Sequence, residues 1–358
     1  MRFLFNRPLD QTIGELWDNI DSTYKKAFFF VLAVNLLAFG FEMTNLTIHH
    51  DDLWQIFIED NILGHYLGRF GLGWLHYRMQ NAHIMPFLQM AQGILIMTVY
   101  GLVISYLWGL RKTTDIVIVS SIVCVFPYMA QVYTYNATMA TYSIAHLLSA
   151  VAVLLSTRAK IFHIAIASIL YLAAFSIYQS VVANAATIFL LWVFGSLLFN
   201  AEYQRSFFRS MTRPALSALM SVAAGSLLYI AIIMFLDIEF DSYQDAGQAF
   251  SLKAEYDPVY ALTALINGTK SFFLWPEDYF PQSIKNLQLI FFLGATIFCL
   301  WLPQGIKAKS IALVILAASL FMPRILLLLH PAGHYHNLTL TAYAVTISGF
   351  VMVINRSI

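Results

Sequence analysis

Long apolar runs separated by short polar links dominate the hydrophobic pattern of this 358-residue chain. A helix needs about 20 predominantly apolar residues to cross a bilayer, and runs near that length recur along the whole sequence. They predict about ten membrane spans, with approximate limits at 27–45, 86–110, 115–133, 137–157, 161–180, 181–200, 215–236, 287–303, 310–328 and 339–354. The pattern therefore predicts an all-α, polytopic membrane protein whose single domain covers residues 1–358.

Three segments outside these runs are more polar. Residues 1–26 carry charges of both signs with apolar residues at helical spacing, which predicts an amphipathic lead-in and not a cleavable signal. Residues 46–85 and 237–286 form the two long outer loops. The first loop contains an apolar stripe, which indicates amphipathic helices lying on the membrane surface. The stripe consists of Leu53, Trp54, Ile56, Phe57, Leu63, Tyr66, Leu67 and Phe70.

Composition and charge support this topology. The chain is 59% hydrophobic and 11% charged, whereas soluble domains are about 25% charged. When the N-terminus is placed in the cytoplasm, 14 of the 20 basic residues fall on the cytoplasmic side, which predicts that both termini are cytoplasmic. The net charge of +1 gives no reason to expect a nucleic-acid partner.

The segment His50-Asp51-Asp52 follows the first predicted span. Two adjacent carboxylates at a water–lipid boundary repel each other and are partly desolvated. This pattern favours a catalytic role for Asp51 and Asp52, in which one acts as a general base toward a hydroxyl group at the membrane surface. A solvated acidic turn or a helix N-cap explains the same residues without chemistry.

Arg69 lies in a glycine-rich part of the first outer loop, between Gly68 and Gly71. Glycine lets the backbone approach a ligand closely, and arginine binds phosphate through parallel hydrogen bonds. Arg69 is therefore a candidate phosphate ligand. Anchoring of Arg69 and Trp74 among lipid headgroups is an equally good interpretation.

Two further positions lie near the predicted outer surface. Tyr178 and Gln179 end one span, where the Gln179 amide suits a sugar or a phosphate, although interfacial tyrosines are common. Arg324 follows Pro323 near the outer end of an apolar span, where an unpaired charge is costly. That position favours a phosphate ligand over an arginine that only reaches for the membrane surface.

Histidines and aromatic residues complete the set of candidates. His334 and His336 follow Arg324, but no carboxylate or cysteine stands beside them at metal-ligand spacing, so we predict no metal and no other cofactor. Four aromatic residues are candidates for stacking on sugar rings, and an interfacial aromatic belt is the alternative. They are Trp54, Trp74, Trp275 and Tyr279.

In their order along the chain, four short motifs resemble the serotype-converting O-antigen glucosyltransferases of phages and enteric bacteria. The motifs are His50-Asp51-Asp52, Gly68-Arg69, Ser176-Ile177-Tyr178-Gln179 and Pro323-Arg324. Each is short, and their order carries the resemblance, which extends over nearly the whole chain. Those enzymes belong to the GT-C class of polytopic glycosyltransferases.

The resemblance implies a GT-C-like fold in the bacterial inner membrane and an undecaprenyl-phosphate-linked sugar donor, usually glucose. The acceptor would be a lipid-linked or surface polysaccharide on the periplasmic face. Asp51 or Asp52 would be the base, and the configuration at the anomeric carbon would be inverted. The residues expected to bind the donor phosphate or sugar are His50, Arg69, Tyr178, Gln179, Arg324, His334 and His336.

Two other functions fit a polytopic chain with arginines in its spans. A transporter or flippase of lipid-linked sugars would share these features, but no internal repeat or broken mid-membrane helix is predicted. A polysaccharide polymerase would carry arginines in a long outer loop, whereas residues 237–286 are more acidic than basic. The paired carboxylates favour the glycosyltransferase.

Overall fold

A computed structural model describes residues 14–15, 17–45, 68–80, 83, 85–136, 138–238, 257–274, 281–303, 305–328 and 337–357. Within these ranges the chain is helical and contains no strand. The α-helices are α1 (Ser22–Thr44), α2 (Phe70–Gln80), α3 (Pro86–Leu107), α4 (Thr113–Val125), α5 (Pro127–Ala130), α6 (Met139–Ser156), α7 (Ile161–Ile177), α8 (Val181–Phe199), α9 (Ala201–Phe235), α10 (Pro258–Leu274), α11 (Gln282–Trp301), α12 (Ile306–Phe321) and α13 (Ala342–Ser357). Short 3₁₀ helices cover Gln131–Tyr133, Met322–Leu328 and Asn337–Leu340.

Each of the ten predicted spans coincides with a helix or a pair of helices. Among the described residues, seven helices are long and apolar enough to cross a membrane, namely α1, α3, α6, α8, α9, α11 and α12 with its 3₁₀ continuation. Helix α4 and the segment Pro127–Tyr133 form an eighth candidate, bent by 54°. The other two spans correspond to α7, with 17 residues, and α13, with 16. The prediction of an all-α polytopic membrane protein is confirmed, while the side on which each terminus lies stays a prediction.

Local sequence accounts for several helix boundaries. The Asp21 carboxylate accepts a hydrogen bond from the Thr23 amide (2.7 Å) and caps α1. Asn200 caps α9 in the same way through the Glu202 amide (2.9 Å). Pro86 stands in the first turn of α3, where its missing N–H is not needed. Pro127 starts the segment that bends away from α4.

Burial separates an inner from an outer part of the bundle. Helix α13 is the innermost helix, since every residue from Ala342 to Val353 is buried. Helices α1 and α9 instead leave large apolar side chains uncovered, with Leu37 87% exposed and Phe235 86% exposed. Apolar surface of this kind on spanning helices is suited to contact with lipid.

The bundle has two ends, which are distinguished by the residues they hold. We call the end with Gly68, Tyr142, Tyr178 and Arg324 the site end. We call the end with Leu107, Phe199 and Arg356 the far end. Helix α8 runs from one to the other, and at 1.5 Å per residue its 19 residues separate the two ends by roughly 28 Å.

Two elements differ from the sequence-based limits. Helix α9 begins at Ala201 and not near residue 215, because its first turns are too charged to count as a span, and it is kinked at Ser206. Helix α10 lies within the predicted outer loop 237–286 and buries Ala261, Leu265 and Thr269 on one face. Helix α2 begins at Phe70, where the predicted apolar stripe ends, and packs against α6 and α7. That this loop lies on the membrane surface stays a prediction.

Candidate active site

Arg69 is the centre of a polar cluster at the site end. Its Nε donates a hydrogen bond to Gln179 Oε1 (3.3 Å), and its Nη1 donates to the Tyr142 hydroxyl (3.3 Å). The guanidinium lies 5.0 Å from the centre of the Tyr178 ring, a distance suited to a cation–π interaction. The Tyr142 and Tyr178 rings are themselves 4.8 Å apart. The half-buried cation is thus held by side chains from α6 and from the link between α7 and α8.

A second set of hydrogen bonds fixes the backbone on which Arg69 lies. Gln179 Nε2 donates to the Tyr229 hydroxyl (2.8 Å), which in turn donates to the carbonyl oxygen of Gly68 (3.0 Å). Tyr229 belongs to α9, and its ring stacks on Phe70 with centroids 5.9 Å apart. Through Gln179 and Tyr229, the side chain of Arg69 is therefore linked to the main chain at Gly68, directly before Arg69, and this link orients the guanidinium.

Glycines allow the close approach that this arrangement requires. Gly68 has a φ of +69°, a left-handed conformation that favours glycine. At Gly71, a Cβ atom would overlap the hydroxyl oxygen of Ser176, so only glycine lets α2 contact the end of α7 at this point. The Gly-Arg and Ser-x-Tyr-Gln motifs, which are more than 100 positions apart in sequence, meet here.

Below Arg69, a buried polar network continues into the bundle. His146 Nδ1 lies 2.8 Å from the carbonyl oxygen of Tyr142, so this nitrogen carries the proton and the other ring nitrogen is an acceptor. His146 Nε2 lies 3.1 Å from the Thr341 hydroxyl, which also accepts a hydrogen bond from Asn184 Nδ2 (3.0 Å). The network joins α6 and α8 to the start of α13.

Arg324 is hydrogen-bonded to Tyr343, which lies two positions after Thr341 of this network along the chain. Its Nε donates to the Tyr343 hydroxyl (3.1 Å), and its guanidinium is 5.8 Å from the Tyr343 ring centre. The ring of Phe272, on α10, stacks on Tyr343 at 3.6 Å. A Cβ atom at Gly268 would come within 2.8 Å of Arg324 Cδ. Arg324 thus lies between α10 and α13, half-buried, where Pro323 has ended the regular helix.

The structure thus holds Arg69, Tyr178 and Gln179 in one cluster and Arg324 at the same end of the bundle. The donor-binding role that the resemblance implies for Arg69 and Arg324 predicts that both face one cavity, and this stays a prediction. Trp74 is not part of the cluster, because it is 60% exposed with Arg78 over its ring at 5.9 Å. Its role in sugar stacking also stays a prediction.

The other candidates lie outside the described residues. They are His50, Asp51, Asp52, Trp54, Trp275, Tyr279, His334 and His336. In the part of the chain that the structure describes, no group of three or more His, Cys, Asp or Glu residues could hold a metal ion. Since His334 and His336 are not among those residues, metal independence stays a prediction.

Several site-end residues were not found from the sequence. Tyr142, Tyr229 and Tyr343 lie within helices, where a single tyrosine gives no signal of its partners. Lys285, in the first turn of α11, is 1% exposed and donates from Nζ to the Ser271 carbonyl (3.4 Å). One turn further, Gln288 is 2% exposed, and neither of its amide atoms has a hydrogen-bond partner among the described residues. The sequence did offer one signal for a buried polar site here, namely the polar residues Lys285 and Gln288 at the start of an apolar run.

Helix α2 carries a histidine whose pKa is shifted by its surroundings. Burial, with a smaller contribution from His83, lowers the pKa of His76 below its usual value. Its Nε2 is buried and has no hydrogen-bond partner among the described residues. A neutral His76 is therefore the form that fits where α2 meets the bundle.

These features, an apolar helical bundle and a half-buried arginine cluster at one of its ends, describe a polytopic membrane protein. Comparison with family profiles narrows this class: the profile described as Glucosyl transferase GtrII matches residues 40–354. The chain belongs to this glucosyl transferase family, which confirms the resemblance read from the four motifs. Searches of curated proteins and of solved structures gave no match.

Proposed function

We propose that this protein transfers glucose from undecaprenyl phosphate to O-antigen or another surface glycan at the periplasmic face of the bacterial inner membrane. Family membership supports glucosyl transfer. The choice of donor rests on the position of Arg69, a half-buried cation that is hydrogen-bonded to Gln179 and Tyr142 at one end of an apolar bundle. A lipid-linked sugar phosphate brings a phosphate to that depth while its chain stays in the bilayer.

Arg69 and Arg324 bind the donor phosphate in this proposal. A guanidinium has five N–H donors, so Arg69 can hold Gln179 and Tyr142 and still offer hydrogen bonds to a phosphate. Both arginines are half-buried, and charge-assisted hydrogen bonds are stronger in such surroundings than in water. Tyr178 and Gln179 orient Arg69, and His50, His334 and His336 are further candidates for contact with the phosphate or the sugar.

The acid pair starts the chemistry. Asp51 or Asp52 takes the proton from an acceptor hydroxyl, whose oxygen attacks the anomeric carbon from the face opposite the phosphate. The bond between that carbon and the phosphate oxygen breaks, and its electron pair leaves with polyprenyl phosphate. The configuration at the anomeric carbon is inverted. The arginines stabilise the charge of the leaving phosphate, so no protonation of the leaving group is required.

The acceptor is a sugar of a lipid-linked or surface polysaccharide. Trp54, Trp74, Trp275 and Tyr279 are the candidates for stacking on its rings. Among them only Trp74 belongs to the described residues, and its exposed ring on α2 is accessible to a ligand that approaches from outside the bundle.

Transfer by purified protein tests the proposal. The enzyme is incubated with O-antigen acceptor and one of two donors, undecaprenyl-phosphate glucose or a nucleotide-linked glucose, and the product is followed by mass. We expect a mass increase of one hexose with the lipid-linked donor only. Transfer from the nucleotide sugar with none from the lipid-linked donor would contradict the proposed donor, and transfer from neither would contradict the activity.

A further inference from the structure

A pocket of about 360 Å³ opens at the far end of the bundle. It lies between the last turns of α3, α8 and α13 and the start of α9, and its lining includes Trp108, Trp192, Ser196, Phe199, Asn200 and Arg356. Its volume is within the range of about 300–1,000 Å³ typical of small-molecule sites. Because α8 separates it from Arg69 by its whole length, this pocket is distinct from the candidate active site.

Arg356 is the charged group of the pocket. Its Nη1 donates to the carbonyl oxygen of Trp108 (2.8 Å), and its guanidinium lies 4.2 Å from the centre of the Phe199 ring. The described residues accept no other hydrogen bond from Arg356 and form no ion pair with it. Of the five N–H donors of a guanidinium, most are therefore left for a ligand.

The surroundings hold this arginine in place. The Trp108 indole donates to the carbonyl of Ile188 (3.2 Å), which fixes the residue whose own carbonyl binds Arg356. Gly109 has a φ of +72°, and a Cβ atom placed on it would lie 3.8 Å from Arg356 Nη1. Arg111 and Asp115 are charged neighbours of Arg356 and carry opposite charges. Among the described residues that line the pocket, Arg356 is the charged one.

We propose that this pocket binds the phosphate headgroup of a membrane lipid. The ends of spanning helices lie at the depth of lipid headgroups, and arginine binds a phosphate through two parallel hydrogen bonds. Trp108, Trp192 and Phe199 offer apolar contact to the glycerol or chain next to that phosphate. The ligand would stabilise the ends of three helices at the end of the bundle opposite the transfer chemistry.

Lipid retention by the purified full-length protein tests the proposal. Native mass spectrometry counts bound phosphatidylglycerol over a concentration series, in an Arg69→Gln background so that binding at the candidate active site does not contribute. Two variants disable the pocket differently: Arg356→Gln removes the cation, and Ser196→Phe fills the space and leaves Arg356 in place. Arg158→Gln, an exposed arginine between α6 and α7 at the far end, is the matched control.

We expect each pocket variant to weaken phosphatidylglycerol binding about tenfold or more, the effect typical of losing a charge-assisted hydrogen-bonded pair, and Arg158→Gln to leave it unchanged. Unchanged binding in both pocket variants would overturn the proposal, and if Arg356→Gln fails to fold, Ser196→Phe alone decides. Parallel series with undecaprenyl phosphate identify which lipid is preferred. Inorganic phosphate displacing the lipid at equal concentration would overturn a lipid site.

Discussion

The two ends of the bundle each place an arginine over an aromatic ring, and they differ in what else holds the cation. At the site end, Arg69 is bonded to the side chains of Gln179 and Tyr142. At the far end, Arg356 is bonded to a main-chain carbonyl and lies on Phe199. Side-chain partners on several helices determine the direction of the guanidinium, whereas a single carbonyl only anchors it.

The polar surroundings differ as well. Behind Arg69 the hydrogen bonds continue through His146 and Thr341 toward Asn184, deep in the bundle. Around Arg356 the lining combines the rings of Trp192 and Phe199 with the polar residues Ser196 and Asn200, and no comparable chain of hydrogen bonds is seen among the described residues. We infer that the site end is built to position reacting groups, and that the far end is built to hold a charged headgroup. The predictions below test that difference, beginning with the largest effect.

Removal of the base should have the largest effect. At least one of Asp51→Asn and Asp52→Asn should lower the rate of transfer by about 10²–10⁴-fold, because Asn keeps the shape but cannot accept a proton. Donor binding should persist. Asp115→Asn at the far end is the matched control and should transfer at the normal rate. Since Asn caps a helix about as well as Asp, normal transfer by both single variants and by the double variant would make the acid pair structural.

Exchange of arginine for lysine should affect transfer at the site end and not at the far end of the bundle. Arg69→Lys and Arg324→Lys should each weaken the use of lipid-linked donor by roughly 10- to 100-fold, since the bidentate fork is lost while the charge remains. Arg356→Lys should change transfer little. The ratio of kcat to KM for the donor measures this. An equal loss in all three variants would remove the functional distinction between the ends.

Substitution of the closely packed Gly71 should destabilise the protein more than substitution of a glycine with open space around it. Gly71→Ala forces a Cβ atom against Ser176 and should destabilise the docking of α2 by about 1–3 kcal/mol, with reduced transfer. Gly40→Ala is the control, because nothing lies within 4 Å of a Cβ there. Thermal unfolding and transfer are measured together.

A second substitution checks the cause. In a Ser176→Gly background the same Gly71→Ala change should cost less than in the original protein. An equal loss in the two backgrounds would show that contact with Ser176 is not the reason.

The smallest expected effect is on pH dependence. The pKa of His76 is lowered by burial, so the folded protein disfavours its protonated form. Docking of α2 is therefore fully stable above the ordinary histidine pKa of about 6.5 and weakens as pH falls below that value. The KM for donor should rise modestly over this interval, and His76→Gln should flatten the rise. An identical pH profile in the variant would exclude His76 as the cause.

Sequence reasoning found the spanning helices because hydropathy alone sets them. The segment 339–354 is predicted as a span, and α13 covers it with a shift of three residues at each end, although α13 is not among the seven helices long and apolar enough to cross a membrane. Helix α10 was harder to predict from the sequence, since its segment is polar enough to be interpreted as a loop. Its buried positions Ala261, Leu265, Thr269 and Phe272 nevertheless recur at helical spacing, so the signal was present.

The candidate site was predictable only in part. Arg69, Tyr178 and Gln179 were assigned to one donor site only through the family resemblance, and their direct contacts with one another could not be predicted from the sequence. Tyr229 was missed because its contact with the Gly68 carbonyl joins positions 161 residues apart. Contacts of that kind depend on how helices pack, which hydropathy and local spacing do not encode.

The most direct test of the central claim is to locate the bound donor. A photoactivatable analogue of undecaprenyl-phosphate glucose is crosslinked to the active enzyme, and the modified peptides are mapped by mass. We predict crosslinks at the site end, in residues 68–80, 178–181, 322–328 or 337–343, that competition with natural donor removes. Donor-competable crosslinks confined to the far end, in 107–109, 191–201 or 356, would contradict the account.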